Sequence, residues 1–481
     1  MNLKEITIIA IVAVSVFMIN LDVSITFIAM PTFNEEFKAG TGDTAKIVLA
    51  YLLSLSGFLL IFGKLSDEYG SKNIFIPGIL IFKVASIFCA VSQTLYFLAV
   101  SRFFQGIGGA MIAATYGAIV VQYLPAKISG KAFGLITAAG GAGFALGAPI
   151  GGYIIEKASW HWIFIVNVPI CLITFLTAIY IFRSGSAVVR PAHAAGEEPS
   201  AAAPCAPGAS TFDYPGALYC FIFLAAFVYA VNQGKIDGWL SPYILLSYLV
   251  FIIFLPLFIW REKNAREPIL DFSVLFDRSL IGCFIATIAV IMTLDGLSFF
   301  FPLFFQIVKQ MTPSETGRLL MIFPLLSLFL SPFAGHLSDK KGPALIARIS
   351  LFLITVSALL FCLFDQTVSF FIVNLALIIF GAGLALFFPS VTALVMSHAP
   401  AGREGIATAL YSSVTNIGSI LGISVFEWLF AVSNSAGHSA HELSAAFVSK
   451  GFNAVAVLSA LLCAAGFIAV ITSREKKIIN I

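Results

Sequence analysis

Gly63-Lys64-Leu65-Ser66-Asp67-Glu68-Tyr69-Gly70 returns about 272 residues later as Gly335-His336-Leu337-Ser338-Asp339-Lys340-Lys341-Gly342. Gly, Leu, Ser, Asp and Gly keep their places, and each copy lies between two long apolar segments. A loop written twice between membrane helices implies a bundle written twice, an arrangement typical of transporters. A solvated turn is the plain reading of one copy; the second copy weakens it.

The composition around these loops is that of a membrane protein. Of 481 residues, 59% are hydrophobic and 11% charged, and the mean hydropathy is +1.00. Fourteen uninterrupted apolar stretches have the roughly 17 to 25 residues that cross a bilayer as helix. They run over 6–30, 45–63, 74–93, 95–121, 131–153, 161–182, 214–232, 242–260, 279–301, 316–334, 344–364, 369–397, 403–430 and 452–472. The alternating segments of about 10 residues that build a membrane β-barrel are missing. The first stretch runs on through Asp22 to Met30 with no small-residue cleavage site, so it reads as a helix and not a signal peptide.

Lys and Arg fix the expected orientation. With the N-terminus inside, eighteen of the 27 fall in inner loops and seven in outer loops, leaving Lys83 and Arg102 within helices. Both termini are therefore expected in the cytoplasm of a multi-pass plasma-membrane protein, most simply in a bacterial inner membrane. The net charge of +3 reflects this topology and gives no sign of a nucleic-acid partner. Six of seven cysteines lie inside helices, and Cys205 lies in an inner loop where thiols stay reduced. No metal-ligand spacing is found, nor any phosphate-binding Gly-x-x-x-x-Gly-Lys-Ser/Thr loop, so any pumping must draw on an ion gradient. The chain is not expected to be an enzyme or to hold a cofactor.

Residues 184–213 are rich in Ala and Pro, a composition that cannot bury enough apolar surface to fold. They read as a cytoplasmic linker. The repeat extends inward from the loops: Gly134, Gly147 and Gly151 match Gly405, Gly418 and Gly422, and Gly109 matches Gly381. The expected organisation is a six-helix half over 1–183, the linker, two inserted helices over 214–278, and a second six-helix half over 279–481.

Several charged residues fall within the apolar stretches. Asp22 lies about sixteen residues into the first helix, and Asp295 sixteen past the start of the ninth, with Pro31 and Pro302 following them. The two acids thus sit at nearly equivalent depths, where a poorly hydrated carboxyl either exchanges a proton or pairs with a cation. One such acid could be a packed structural carboxyl; a repeat-related pair favours function. Arg102, charged at any accessible pH, needs a carboxylate, carbonyl or water unless it snorkels to the nearby outer end of its helix. Glu427 sits near the outer end of helix thirteen and could simply reach water. Lys83 lies mid-helix and needs an acid, water or a snorkelling route. The cluster Phe299, Phe300, Phe301, Phe304 and Phe305 either lines a greasy pocket for aromatic cations or faces lipid. Gly143-x-x-x-Gly147-x-x-x-Gly151, beside Pro149 and Gly152, presents a bare helix face that suits close packing or sliding.

These features together resemble the major facilitator superfamily over nearly the whole chain, and within it the fourteen-helix drug:proton antiporters. Leu21-Asp22-Val23-Ser24-Ile25-Thr26-Phe27-Ile28-Ala29-Met30-Pro31 is similar to that group's first-helix signature. Ser159-Trp160-His161-Trp162-Ile163-Phe164-Ile165-Val166-Asn167-Val168-Pro169 is similar to the stretch opening its sixth helix, with His161 where the family usually has Arg. The resemblance implies an all-α fold of two six-helix halves plus two inserted helices. It implies that Gly63, Asp67, Gly70, Gly335, Asp339 and Gly342 belong to a conformational motif, with Asp67 docking near Gly402 and Arg403 as a latch. It makes the Gly143 to Gly152 stretch an antiporter motif and gives Arg102-x-x-Gln105-Gly106 a place in proton transfer.

The expected function is export of small amphipathic or cationic compounds by a monomer in the bilayer, driven by protons. The coupling residues are then Asp22, Asp295 and Arg102, and the cavity residues Asp22, Asp295, Gln105, Glu427 and Phe299. Export of one metabolite, such as a siderophore, amino acid or lipid, stays open. A non-transporting sensor or scaffold is the alternative outside transport, weakened by the intact buried charges.

Overall fold

The computed structural model describes residues 2–183, 214–264, 278–398, 404–433 and 444–472. The linker at 184–213, Gly402 and Arg403 lie outside them, as do the side chains of Asp67 and Asp339. The described residues are almost wholly helical and contain no strand.

The helices are α1 (Leu3–Ile28), α2 (Met30–Glu36), α3 (Thr41–Tyr69), α4 (Ser71–Ala90), α5 (Leu95–Tyr123), α6 (Ala126–Lys157), α7 (Trp162–Ile165) and α8 (Asn167–Arg183). They continue as α9 (Tyr214–Asp237), α10 (Pro242–Asn264), α11 (Arg278–Leu303), α12 (Pro313–Leu320), α13 (Ile322–Lys341), α14 (Pro343–Phe361), α15 (Phe370–His398), α16 (Glu404–Ser433) and α17 (Ala445–Thr472). Thirteen helical stretches among the described residues are long and apolar enough to cross a membrane. The expected seventh span is α9, whose apolar part, Leu218–Val231, is shorter.

Two compact units emerge. One gathers the described parts of Met1–Ala29, Lys46–Ala230 and Gly238–Ile269; the other gathers those of Met30–Ala45, Val231–Asp237 and Leu270–Ile481. Within the first, α1 packs along α6 and α8, and α4 along α5 and α8. Within the second, α11 packs along α16 and α17, and α14 along α15 and α17. The same pairing pattern appears twice, as the repeated sequence requires.

The glycine spacing in α6 has a direct packing reason. A Cβ on Gly143 would collide with the Phe17 carbonyl, and one on Gly147 would lie 2.8 Å from the Leu21 carbonyl and 2.6 Å from Ser24 Cβ. Gly151 faces Ile25 and Ile28. Every fourth residue of α6 is therefore bare where α1 crosses it, and the two backbones touch. In α16, Gly422 meets the Met292 backbone of α11 in the same manner.

The repeated segments correct one expectation. Residues 63–69 and 335–341 are not loops but the last turns of α3 and α13, so Gly63 and Gly335 are helical, and a Cβ on either would meet nothing within 4 Å. The chain reverses at a single residue in each copy. Gly70 has φ 90 and ψ 135 and Gly342 has φ 88 and ψ 136, a conformation only glycine adopts without strain. The two turns match within a few degrees.

Both prolines that follow the intramembrane acids lie at helix irregularities. Helix α1 ends at Ile28, and Pro31 sits in the short α2; α11 passes Pro302 and widens to a π-helix over Phe304–Val308. A proline ring displaces the carbonyl four residues back, and one extra residue per turn is a way to absorb that. The phenylalanines around this bulge neither line an open pocket nor face lipid. Phe299, Phe301, Phe304 and Phe305 are 0% exposed and Phe300 is 1% exposed. They stack with Phe323, Phe361, Phe364, Phe430 and Phe452 into an aromatic core.

Candidate functional site

In the first unit, four helices bring their polar residues to one point. Asp22 of α1 is 0% exposed, as are Arg102 and Gln105 of α5 and Asn167 of α8. Arg102 Nη1 donates to Asp22 Oδ2 at 2.5 Å and to Gln105 Oε1 at 2.6 Å. Gln105 Nε2 donates to Asp22 Oδ1 at 2.8 Å and to Ser86 Oγ of α4 at 3.0 Å. Asn167 Nδ2 donates to the same Asp22 oxygen at 2.7 Å. Arg102 and Gln105 are three residues apart and so share one face of α5. The carboxylate is thus held by three donors from two helices.

The guanidinium is framed by rings as well. Its Cζ lies 4.3 Å from the Tyr51 ring centroid and 5.7 Å from that of Phe164, distances at which the aromatic faces attract a cation. Gly106 explains how α3 reaches this place: any Cβ there would run into Ser54 Oγ and the Tyr51 carbonyl. Arg102 Nε and Nη2, the Tyr51 hydroxyl and Asn167 Oδ1 are buried and make no hydrogen bond among the described residues. Arg102 therefore does not snorkel. It forms a buried ion pair, and an intact pair of this kind withstands burial only while both charges remain, because removing one leaves the other stranded.

Asp295 is differently placed. Gly147 of α6 packs against Leu21 and Ser24, whereas its repeat partner Gly418 of α16 packs against Ile288 and Ile291 of α11. Measured from these glycines, Asp22 sits level with its contact, while Asp295 lies beyond Ile291 by about one helical turn. The equivalence of depth read from helix starts does not extend to packing. Asp295 is half-buried, has Ser419 of α16 as its hydrogen-bonding neighbour, and forms no ion pair among the described residues.

The remaining charged positions resolve as follows. Glu427 of α16 is 4% exposed and does not reach water freely; its Oε1 accepts from Thr41 Oγ1 at 3.4 Å, and Gly42 is bare because a Cβ there would lie 2.9 Å from the same oxygen. The carboxylate therefore faces the positive first turn of α3. Lys83 is half-buried with its ammonium 5.6 Å from the Phe175 ring centroid, an aromatic neighbour beside the acid, water or snorkelling route that its position called for. A cleft of about 320 Å³ in the second unit is lined by Pro31, Asn34, Glu35, Ala39, Gln306, Ile307 and Gln310. None of the intramembrane acids lines it. The six described cysteines form no disulfide, and no metal-holding cluster exists among the described residues.

Sequence reasoning named Asp22, Arg102 and Gln105 but missed Asn167, Ser86 and Tyr51 as their partners. Asn167 was visible within the quoted sixth-helix stretch, and an amide at membrane depth was the available signal. Nothing local marked Tyr51.

Comparison with known proteins agrees with this architecture. The family model described as Major Facilitator Superfamily matches residues 12–423. The riboflavin transporter RibZ of Clostridioides difficile (strain 630) is 29% identical over 423 residues, covering 88% of each chain. The multidrug resistance protein Stp of Mycobacterium tuberculosis (strain CDC 1551 / Oshkosh) is 28% identical, covering 92% of this chain and 79% of its own. A bacterial homologue of the human lysosomal transporter Spinster, solved inward-facing and unoccupied, superposes with a TM-score of 0.65 at 14% identity over 98% of both chains. With that breadth of match on a repeated helical bundle, the chain belongs to the Major Facilitator Superfamily.

Proposed function

We propose that this membrane transporter is a proton-coupled exporter of small amphipathic or cationic compounds, working by alternating access as a monomer with both termini in the cytoplasm. The observation that carries the reading is the buried Asp22, Arg102, Gln105 and Asn167 network. A charge pair with three donors on one carboxylate is costly in a membrane unless its rearrangement does work. Protonating Asp22 removes the charge that Arg102, Gln105 and Asn167 hold, and so frees α1, α5 and α8 from one another. Deprotonation draws them together again. A proton taken from one side and lost to the other is thereby tied to a change in helix packing, with no cofactor beyond the gradient. The bare seam between α1 and α6 supports such movement, because backbones in contact can shift without repacking large side chains.

In this reading Asp295 either carries a second proton or pairs with a cationic substrate, Gln105 and Glu427 act at the cavity, and Asp67 and Asp339 are latches at the ends of α3 and α13. A second reading, export of a single metabolite, has an observation in its favour: one relative is named a riboflavin transporter, while another is named a multidrug resistance protein.

Everted vesicles with an imposed proton gradient test both. Lipophilic cations, neutral drugs and riboflavin are offered to wild type, Asp22→Asn and Arg102→Lys. Gradient-driven uptake of several unrelated compounds supports the multidrug reading, and uptake of riboflavin alone supports the second. If wild type moves none of them, or Asp22→Asn keeps wild-type coupling, the proposal fails.

A further inference from the structure

Asp22 and Asp295 differ in what surrounds their charge, and the difference bears on which of them meets the substrate. This inference rests on the export reading above and assigns the positively charged substrate to one acid. In α1 the more exposed positions, Ile6 at 49%, Ala10, Val14 at 39% and the half-buried Phe17, recur at helical spacing. Asp22 falls off that stripe, in full burial, with its charge balanced by Arg102. In α11 the corresponding stripe runs through Ile281 at 38%, Ile285 at 44%, Ile288 and then Asp295 itself. It is interrupted only at Met292, where Gly422 of α16 closes on the backbone. Helical geometry makes these positions one face, and α11 packs mainly against α16 and α17, with α15, α2 and α12 also in contact.

A half-buried carboxylate on a membrane helix does not sit against lipid tails; such groups turn to a water-filled path or the interior of a bundle. Asp295 has a hydroxyl beside it, that of Ser419, and no Lys, Arg or His paired with it among the described residues. Its charge is therefore open to a cation from elsewhere. The surroundings along α11 are greasy: Ile288 lies two turns back on the same face, Leu294 is the preceding residue, and Phe426 lies so close to the following Gly296 that a Cβ there would overlap its ring. An inorganic ion would lack the several oxygens that hold it. A lipophilic organic cation with one dispersed positive charge meets both demands. We infer that Asp295 is the carboxylate that receives lipophilic monocationic substrates, whereas Asp22 is reserved for coupling.

The test is binding of tetraphenylphosphonium to purified wild-type protein, Asp295→Asn and Asp295→Glu, with vesicle transport of the same cation and of neutral chloramphenicol alongside. Asp295→Asn is expected to weaken tetraphenylphosphonium binding at least tenfold and to lower the ratio of cation to chloramphenicol transport by a similar factor. Asp295→Glu is expected to restore most of both. Thermal unfolding confirms that each variant is folded. Wild-type affinity in Asp295→Asn, equal loss of both compounds, or a wild type that moves chloramphenicol but binds no tetraphenylphosphonium would each overturn the assignment. A wild type that moves neither compound defeats the export reading instead.

Discussion

The surroundings of Asp22 and of Asp295 are the most instructive contrast in the molecule. Both acids sit on repeat-related helices, α1 and α11, each crossed by a glycine-bearing partner, α6 and α16. Around Asp22 the polar groups close on one another: a guanidinium, two amides and a serine hydroxyl from three helices. Around Asp295 they do not. Duplication supplied the same scaffold twice, and the residues placed on it have made one site self-contained and left the other open. A structural duplication is therefore compatible with two different jobs, and depth along a helix is a poor guide to which job a residue performs.

Substitutions at the closed site carry the largest expected effects. Arg102→Ala strands a buried carboxylate, a change of about 3 to 5 kcal/mol for a broken buried pair. Thermal unfolding in detergent is expected to show most of that loss, with Arg102→Ala,Asp22→Asn together less damaging than Arg102→Ala alone. Asn167→Ala comes next, since it removes one of three donors to the carboxylate, and a hydrogen bond to a charged group is worth about 1.5 to 3 kcal/mol. Its expected signature is a shifted pH profile of transport with the protein still folded. Asn167→Asp, which places a second carboxylate against the first, is expected to be worse than Asn167→Ala; equal behaviour would mean that Asn167 only fills space.

The helix seams rank third. Gly143→Val drives a branched side chain into the Phe17 carbonyl, and overpacking of this kind costs about 1 to 3 kcal/mol or more. Gly134→Val, where an added Cβ would meet nothing within 4 Å, is the control in the same helix and is expected to unfold near wild type. The smallest effects belong to the twin turns. Gly70→Ala and Gly342→Ala each place a side chain at φ near +90 and are expected to lose about 1 kcal/mol apiece. Gly63→Ala, in a helix with open space around it, is expected to be neutral or to gain up to about 1 kcal/mol. Unequal losses at Gly70 and Gly342 would break the equivalence of the two copies.

Much of the fold was legible because membrane spans and duplication leave one-dimensional traces. Apolar length gave the helices, Lys and Arg gave an expected sidedness, and the Gly143, Gly147 and Gly151 spacing announced the seam that the structure realises against Phe17, Leu21 and Ile25. The corrections came where a third dimension was needed. Gly63 looked like a turn residue, yet its helix continues because nothing there demands reversal until Gly70. Asp22 and Asp295 looked equivalent because their separation, 273 residues, is close to the 272 of the loops and the 271 of the glycines. Against the glycine seams, however, Asp295 lies about one helical turn beyond the level that Asp22 occupies. Near-equal sequence offsets therefore do not place the two acids in equivalent packing. Asn167 and Tyr51 belong to the site through packing between distant segments, which no local pattern records.

The central claim, that the closed network exchanges a proton in step with substrate, is tested most directly by proton release in weakly buffered detergent solution. Wild-type protein given a saturating transported compound is expected to release protons in proportion to compound bound, while Asp22→Asn binds the compound and releases none. Undiminished release from Asp22→Asn would contradict the account.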